Sequence, residues 1–85
     1  MPRLRFFMTE AETVLARRIG AGVRRRRDLM EPTCTQENLA ERAGLHPVYI
    51  SEVENGKRNL SVAVCARIAN ALGMRLSEFF SEIGE

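Results

Sequence analysis

Tryptophan is absent from this 85-residue sequence, tyrosine and histidine each occur once, and there are only two cysteines. The cysteines, Cys34 and Cys65, lack metal-ligand spacing, and His46 has no cluster of acids or thiols around it, so no metal site is expected. Both thiols are expected to be reduced and buried, with a disulfide the alternative that their even number leaves open. No apolar run approaches the roughly 18 residues of a membrane span. The start, Met1-Pro2-Arg3-Leu4-Arg5-Phe6-Phe7-Met8, has neither an adequate apolar stretch nor a small-residue cleavage site, so a secretory signal is not expected. A cytoplasmic protein follows as the default. Missing too are a Cys–His or Ser–His arrangement with a third partner, paired carboxylates in an identifiable cleft and a phosphate loop. An enzyme is therefore not expected, and neither is a cofactor or small-molecule ligand.

Repeats, low-complexity stretches and strand-like alternation are also missing. What remains is an ordinary globular composition, 45% hydrophobic and 28% charged. The length allows one domain, which buries only about 60–65% of the surface of its unfolded chain. Net charge is +2, but it is unevenly spread. Residues 1–30 hold eight arginines against Glu10, Glu12 and Asp28, whereas the remainder holds five basic groups against eight acidic ones. A positive first segment on a mildly acidic body is suited to an anionic polymer; the alternative is a solvated helix face.

Five short helices are expected. The first opens at Thr9, with Glu12 completing a capping box, presents Leu15, Ile19 and Val23 as its apolar stripe, and fades at Asp28–Met30 before Pro32. Gly20 and Gly22 weaken it intrinsically, so packing must hold it. The second starts at Thr35, buries Leu39, Ala40 and Ala43, and stops at Gly44. The third begins at His46-Pro47, with proline at its favoured first position, and ends before Gly56. Its Ile50 and Val53 point inward, while Pro47, Val48, Ser51 and Glu52 share another face. The fourth runs from Ser61 to Leu72, with Val64, Cys65, Ile68, Ala69 and Leu72 buried and Gly73 as terminator. The last is capped by Ser77 and carries Leu76, Phe79, Phe80 and Ile83 on one side.

Residues 35–56 thus read as two short helices joined through Gly44-Leu45-His46, the layout of a helix-turn-helix. In such a unit the second helix enters the major groove, about 12 Å wide, while the first crosses the backbone. Around it lie Ile19-Gly20-x-x-Val23-Arg24-x-x-Arg27, Thr35-Gln36-Glu37-x-Leu39-Ala40-x-x-Ala43-Gly44-Leu45 and Tyr49-Ile50-Ser51-x-Val53-Glu54-x-Gly56-Lys57-Arg58-Asn59. Ile68-Ala69-x-Ala71-Leu72-Gly73 and Leu76-Ser77-x-Phe79-Phe80 continue the pattern. Over about residues 15–80 this combination resembles the Cro/C1-type (Xre) helix-turn-helix family. Tyr49-Ile50-Ser51 and Arg58-Asn59-Leu60-Ser61 are similar to the small controller proteins of restriction–modification systems.

The resemblance implies an all-α, compact five-helix, lambda-repressor-like domain over residues 9–85, preceded by an arm at 1–8. It implies a homodimeric, sequence-specific transcriptional regulator of double-stranded DNA, acting on a roughly palindromic operator. Pro47, Val48, Ser51 and Glu52 would face base edges. Gln36, Tyr49, Lys57, Arg58 and Asn59 would hold the backbone, contacts that give affinity and register but no sequence reading. Arg27 and Glu54 would form an internal ion pair, and Leu76, Phe79, Phe80 and Ile83 the dimer interface.

Several residues depart from the family pattern. The stretch between Arg27 and Thr35 is about two residues longer than usual, which leaves Arg26 as an alternative partner for Glu54. His46 replaces the usual Ser, Thr or Asp cap and either caps weakly or faces a phosphate. Pro47 and Val48 offer only apolar contact, so direct readout falls to Ser51 and Glu52, supplemented by DNA shape. Glu52 either accepts from a cytosine amino group or is solvated. One or two of Arg24–Arg27 would reach phosphates. The arm either extends freely or packs on a partner subunit or DNA. The competing function is a helical protein-interaction module, such as an antitoxin subunit.

Overall fold

The computed structural model describes residues 8–84, with side chains through Glu82. The expected arm lies outside these residues except for Met8. Five helices follow in order: α1 (Glu10–Leu29), α2 (Gln36–Ala43), α3 (Pro47–Glu54), α4 (Val62–Ala71) and α5 (Leu76–Gly84), with no strand among the described residues. None is long and apolar enough to cross a membrane.

Local chemistry sets most helix ends. At α1 the Glu12 N–H donates to Thr9 Oγ1 at 3.1 Å and the Thr9 N–H donates to Glu12 Oε1 at 2.8 Å, a reciprocal capping box. Thr35 and Asn38 form the same arrangement at α2, and Ser61 accepts from the Val64 N–H at α4. Gly44 ends α2 in the left-handed region at φ 68°, which a side chain would strain. The start of α5 differs from expectation. Ser77 already lies inside the helix, and the N–H of Arg75 donates to Glu78 Oε1 at 2.9 Å, so Arg75 is the boundary residue. A carboxylate three residues along serves where a hydroxyl cap was expected.

The core gathers Ile19, Val23, Leu39, Ile50, Val53, Ile68, Leu72 and Phe79 with small residues such as Ala40, Ala43 and Ala69 between them. Cys34 and Cys65 are both buried and unpaired, and burial pushes the Cys65 thiol pKa up. Leu15 does not belong to the core: it is 47% exposed, and Ala16 is buried in its place. At 3.6 residues per turn, steps of four drift by about 40° each, so Leu15 stands about 80° round the helix from Val23. The buried stripe is therefore Ala16, Ile19, Gly20, Val23 and Arg27. α3 packs across both α1 and α2, and α5 packs on α1 and α4, which leaves the other side of α3 open.

Candidate nucleic-acid interface

Three devices hold α3 in place. The first is a close crossing at Gly20: a Cβ there would collide with the carbonyl oxygen of Val53 and stand 2.8 Å from that of Glu54. The glycine that weakens α1 as a helix is what lets α3 approach. The second is Arg67 on α4, whose Nε donates to the Ala43 carbonyl at 2.9 Å and whose Nη2 donates to the Gly44 carbonyl at 3.0 Å. These bonds satisfy carbonyls at the C-terminus of α2 and fix the turn leading into α3. The third is the cap of α3 itself, where His46 Nδ1 accepts from the Val48 N–H at 3.1 Å. His46 is exposed and Pro47 follows at the first helical position.

Beneath the C-terminal end of α3 lies a buried carboxylate. Glu54, with a side chain 0% exposed, receives Arg27 Nε on Oε2 at 2.7 Å and Arg27 Nη2 on Oε1 at 2.9 Å. Gln36 Nε2 donates to the same Oε1 at 2.9 Å, and Arg24 Nε lies 3.4 Å from it. Burial alone would raise the pKa of Glu54, but the hydrogen bonds from Arg27 and Gln36 outweigh it and hold the group below its ordinary value. Arg27 also donates through Nη1 to the Cys34 carbonyl at 2.9 Å, and the Cys34 N–H returns to the Arg27 carbonyl at 3.2 Å. The longer connection is thereby absorbed: Glu31, Pro32 and Thr33 are exposed while Cys34 re-enters the core. Arg26 points elsewhere, its Nη1 lying 3.5 Å from Glu82 Oε1. Of the basic run, Arg24, Arg26 and Arg27 are each within reach of a carboxylate, and Arg25 is exposed.

The open side of α3 presents Pro47 and Val48, the latter 58% exposed, with Ser51 and Glu52 half-buried beside them. Glu52 is neither free nor merely hydrated: its Oε1 accepts from Arg58 Nη2 at 2.7 Å and from Arg58 Nε at 3.1 Å. The guanidinium carbon of Arg58 lies 4.9 Å from the centre of the Tyr49 ring, a cation–π distance. Lys57 is exposed on the loop that follows. Asn59 Nδ2 donates to Glu12 Oε2 at 2.9 Å, tying that loop to the first turn of α1. Gln36 sits at the start of α2, half-buried, its amide oriented by Glu54. Of the polar and charged residues read from the sequence, Tyr49, Glu52 and Arg58 are thus brought together at α3, Gln36 joins the buried Glu54 cluster, and Asn59 is tied to α1. Sequence reading did not find Arg67, the Glu52–Arg58 pair or the Asn59–Glu12 bond. Each partner pair is joined across a turn or between helices, so no fixed spacing marks it.

On α5 the four apolar residues part company. Phe79 is 2% exposed and belongs to the core, Leu76 packs half-buried against it, and Phe80 remains exposed with its ring edge-on to Phe79, centroids 5.7 Å apart. The side chain of Ile83 lies outside the described residues.

Comparison with known proteins agrees with this geometry. The family model described as helix-turn-helix matches residues 23–79. The control protein C.MunI from Mycoplasma sp is 45% identical over 49 residues, which span 58% of this chain and 66% of that protein. The control protein C.BamHI from Bacillus amyloliquefaciens is 39% identical over 58 residues, spanning 66% of this chain and 72% of that one. Among solved structures, the clp gene regulator ClgR from Corynebacterium glutamicum superposes with a TM-score of 0.74 at 30% identity, covering 82% of this chain and 72% of its own. The restriction-modification controller protein C.AhdI from Aeromonas hydrophila gives 0.70 at 32% identity, covering 76% and 96%. With the matched segment containing α2, the turn, α3 and the buried Arg27–Glu54 pair, the chain belongs to the Cro/C1-type helix-turn-helix family of DNA-binding transcription regulators.

Proposed function

We propose that the protein is a controller-type transcription regulator that binds, as a homodimer, a roughly two-fold symmetric operator in the cytoplasm. The observation that carries this reading is the open side of α3. A helix clamped on its inner side by Gly20, Arg67 and Glu54 leaves Pro47, Val48 and Ser51 facing outward, with Glu52 at the edge. That protruding surface fits a major groove. Gln36, Tyr49, Lys57 and Asn59 flank it and would hold the phosphate backbone, fixing register. The relatives named as control proteins, and C.AhdI as a restriction-modification controller, favour control of restriction–modification genes as the role.

Dimerisation is assigned to α5. Phe80, exposed beside the half-buried Leu76, forms an apolar edge that a second copy would cover. Two-fold symmetry would set the two copies of α3 about one DNA turn apart, about 34 Å. Occupancy would then rise more steeply than linearly with subunit concentration, so that concentration itself regulates. The test is selection of bound duplexes from a random-sequence pool at two salt concentrations. A two-fold symmetric motif, with affinity falling steeply as salt rises, is the expected result. Failure to enrich any motif would overturn this reading and favour a protein-binding module of the antitoxin type.

A further inference from the structure

The Glu52–Arg58 pair has a geometry that phosphate holding does not require. The two residues lie on either side of the Gly56 turn, and the bond between them draws Arg58 back onto the outward surface of α3. Nε and Nη2 both donate to Glu52 Oε1, while the Tyr49 ring supports the guanidinium from one face. Together these contacts fix the position and plane of a side chain that is 47% exposed. A guanidinium has five N–H donors. Glu52 takes one from Nε and one from Nη2. The remaining Nη2 hydrogen and both Nη1 hydrogens have no partner among the described residues. By planarity that Nη2 hydrogen and one Nη1 hydrogen lie side by side on the outer end of the fork, and the other Nη1 hydrogen points back beside Cδ.

That free edge carries two parallel donors, the pattern that matches O6 and N7 of guanine in the major groove. A phosphate can also accept two bonds from arginine, so charge decides between them. The Glu52 carboxylate largely cancels the charge of Arg58 and repels a second anion brought close to it. A neutral acceptor edge is therefore the better partner. The neighbouring Pro47 and Val48 have no hydrogen-bonding groups, which leaves the outward face short of polar readers unless Arg58 supplies them. We infer that Arg58 reads a guanine in each half-site, with Glu52 as its positioning residue and Tyr49 as its platform. This rests on the assignment of α3 to the major groove.

The experiment repeats the random-duplex selection with the full chain carrying Arg58→Lys, Arg58→Ala, Glu52→Gln, Glu52→Ala or the double alanine replacement. All sites are surface-exposed or half-exposed, and thermal melting checks that each variant folds. In the wild-type motif one column per half-site should be guanine. Arg58→Ala removes the donors and should lower preference for guanine over adenine at that column by roughly tenfold or more, with other columns unchanged. Arg58→Lys, whose ammonium can still donate to O6 and N7, should retain part of that preference. Glu52→Gln should weaken the same column. Glu52→Ala should cost no further preference once Arg58 is alanine, the signature of one residue acting through the other. Replacing that guanine with 7-deazaguanine, which lacks the N7 acceptor, should weaken the wild type and leave Arg58→Ala unchanged. Retention of the guanine column by Arg58→Ala, or a uniform loss across all sequences, would overturn the inference while leaving α3 as the reading helix. An independent effect of Glu52→Ala in the Arg58→Ala background would overturn it in favour of direct reading by Glu52. A wild-type protein that selects no motif would overturn it together with the reading it rests on.

Discussion

Replacing Glu54 with glutamine exchanges one oxygen for an NH2 group at the centre of the scaffold and should cost far more than its small size suggests. Four donors converge on the carboxylate: Arg27 Nε on Oε2, and Arg27 Nη2, Gln36 Nε2 and Arg24 Nε on or near Oε1. An amide offers one acceptor and one donor group. With its oxygen in the Oε1 position, its NH2 faces the Nε–H of Arg27; turned over, it faces the other three donors. Either way a donor confronts a donor beside a guanidinium whose residue is only 9% exposed. Removing one partner of a buried ion pair typically costs about 3–5 kcal/mol, and the retained oxygen places this case near about 3 kcal/mol. A chain of this length has a total stability of about 4–13 kcal/mol, and each kcal/mol moves the melting point of a small domain by about 4–8 °C. Glu54→Gln should therefore melt at least about 12 °C below the wild type in a thermal scan and show an earlier urea midpoint. The double replacement Arg27→Met with Glu54→Leu removes both charges together and should cost less than Glu54→Gln alone. A single variant within about 0.5 kcal/mol of the wild type, the range of an ordinary surface substitution, would refute this account of the pair.

Gly20→Ala places a methyl group against the backbone carbonyls of Val53 and Glu54, which cannot rotate away. Overpacking of about 1–3 kcal/mol should exceed the gain of about 1 kcal/mol in helix propensity, and a raised urea midpoint would contradict the close crossing. The depressed pKa of Glu54 gives a direction for acid sensitivity. Its contribution is present above the ordinary value of 4.5 and is lost as pH falls through the lower folded value. Urea midpoints should hold steady near neutrality and decline below that ordinary value, with a shallower decline in Glu54→Gln; an identical slope in the variant would count against it. Phe80→Glu places a charge on the exposed edge of α5. It should shift the sedimenting species to monomer and reduce operator binding, and an unchanged dimer would move the interface elsewhere.

Features governed by neighbours within one turn were legible in the sequence. Thr9 with Glu12, Thr35 with its N3 residue, and Ser61 act over three residues, and Gly44 and Gly73 mark positions where the backbone turns left-handed. The open face of α3 followed from angular spacing alone, since Ile50 and Val53 are committed to the core. The sequence was less informative where angles accumulate or partners are distant. Leu15 had the right residue type at a regular step, but drift carried it off the buried stripe, and a glutamate displaced the expected Ser77 cap. Arg58 and Glu52 are six residues apart with a reversal between them, and Arg67 reaches a turn more than twenty residues away. Such contacts depend on the packing of α1 and α4 around the motif, which no local pattern encodes.

The central claim is that the outward face of α3 is where DNA binds, and mapping backbone amide shifts during titration with a selected duplex tests it most directly. The expected changes cluster at residues 46–52, at 57–59 and at Gln36, while the exposed side of α1 around Val14 and Leu15 stays unperturbed. Changes centred on α1 or α5, with α3 silent, would contradict the account.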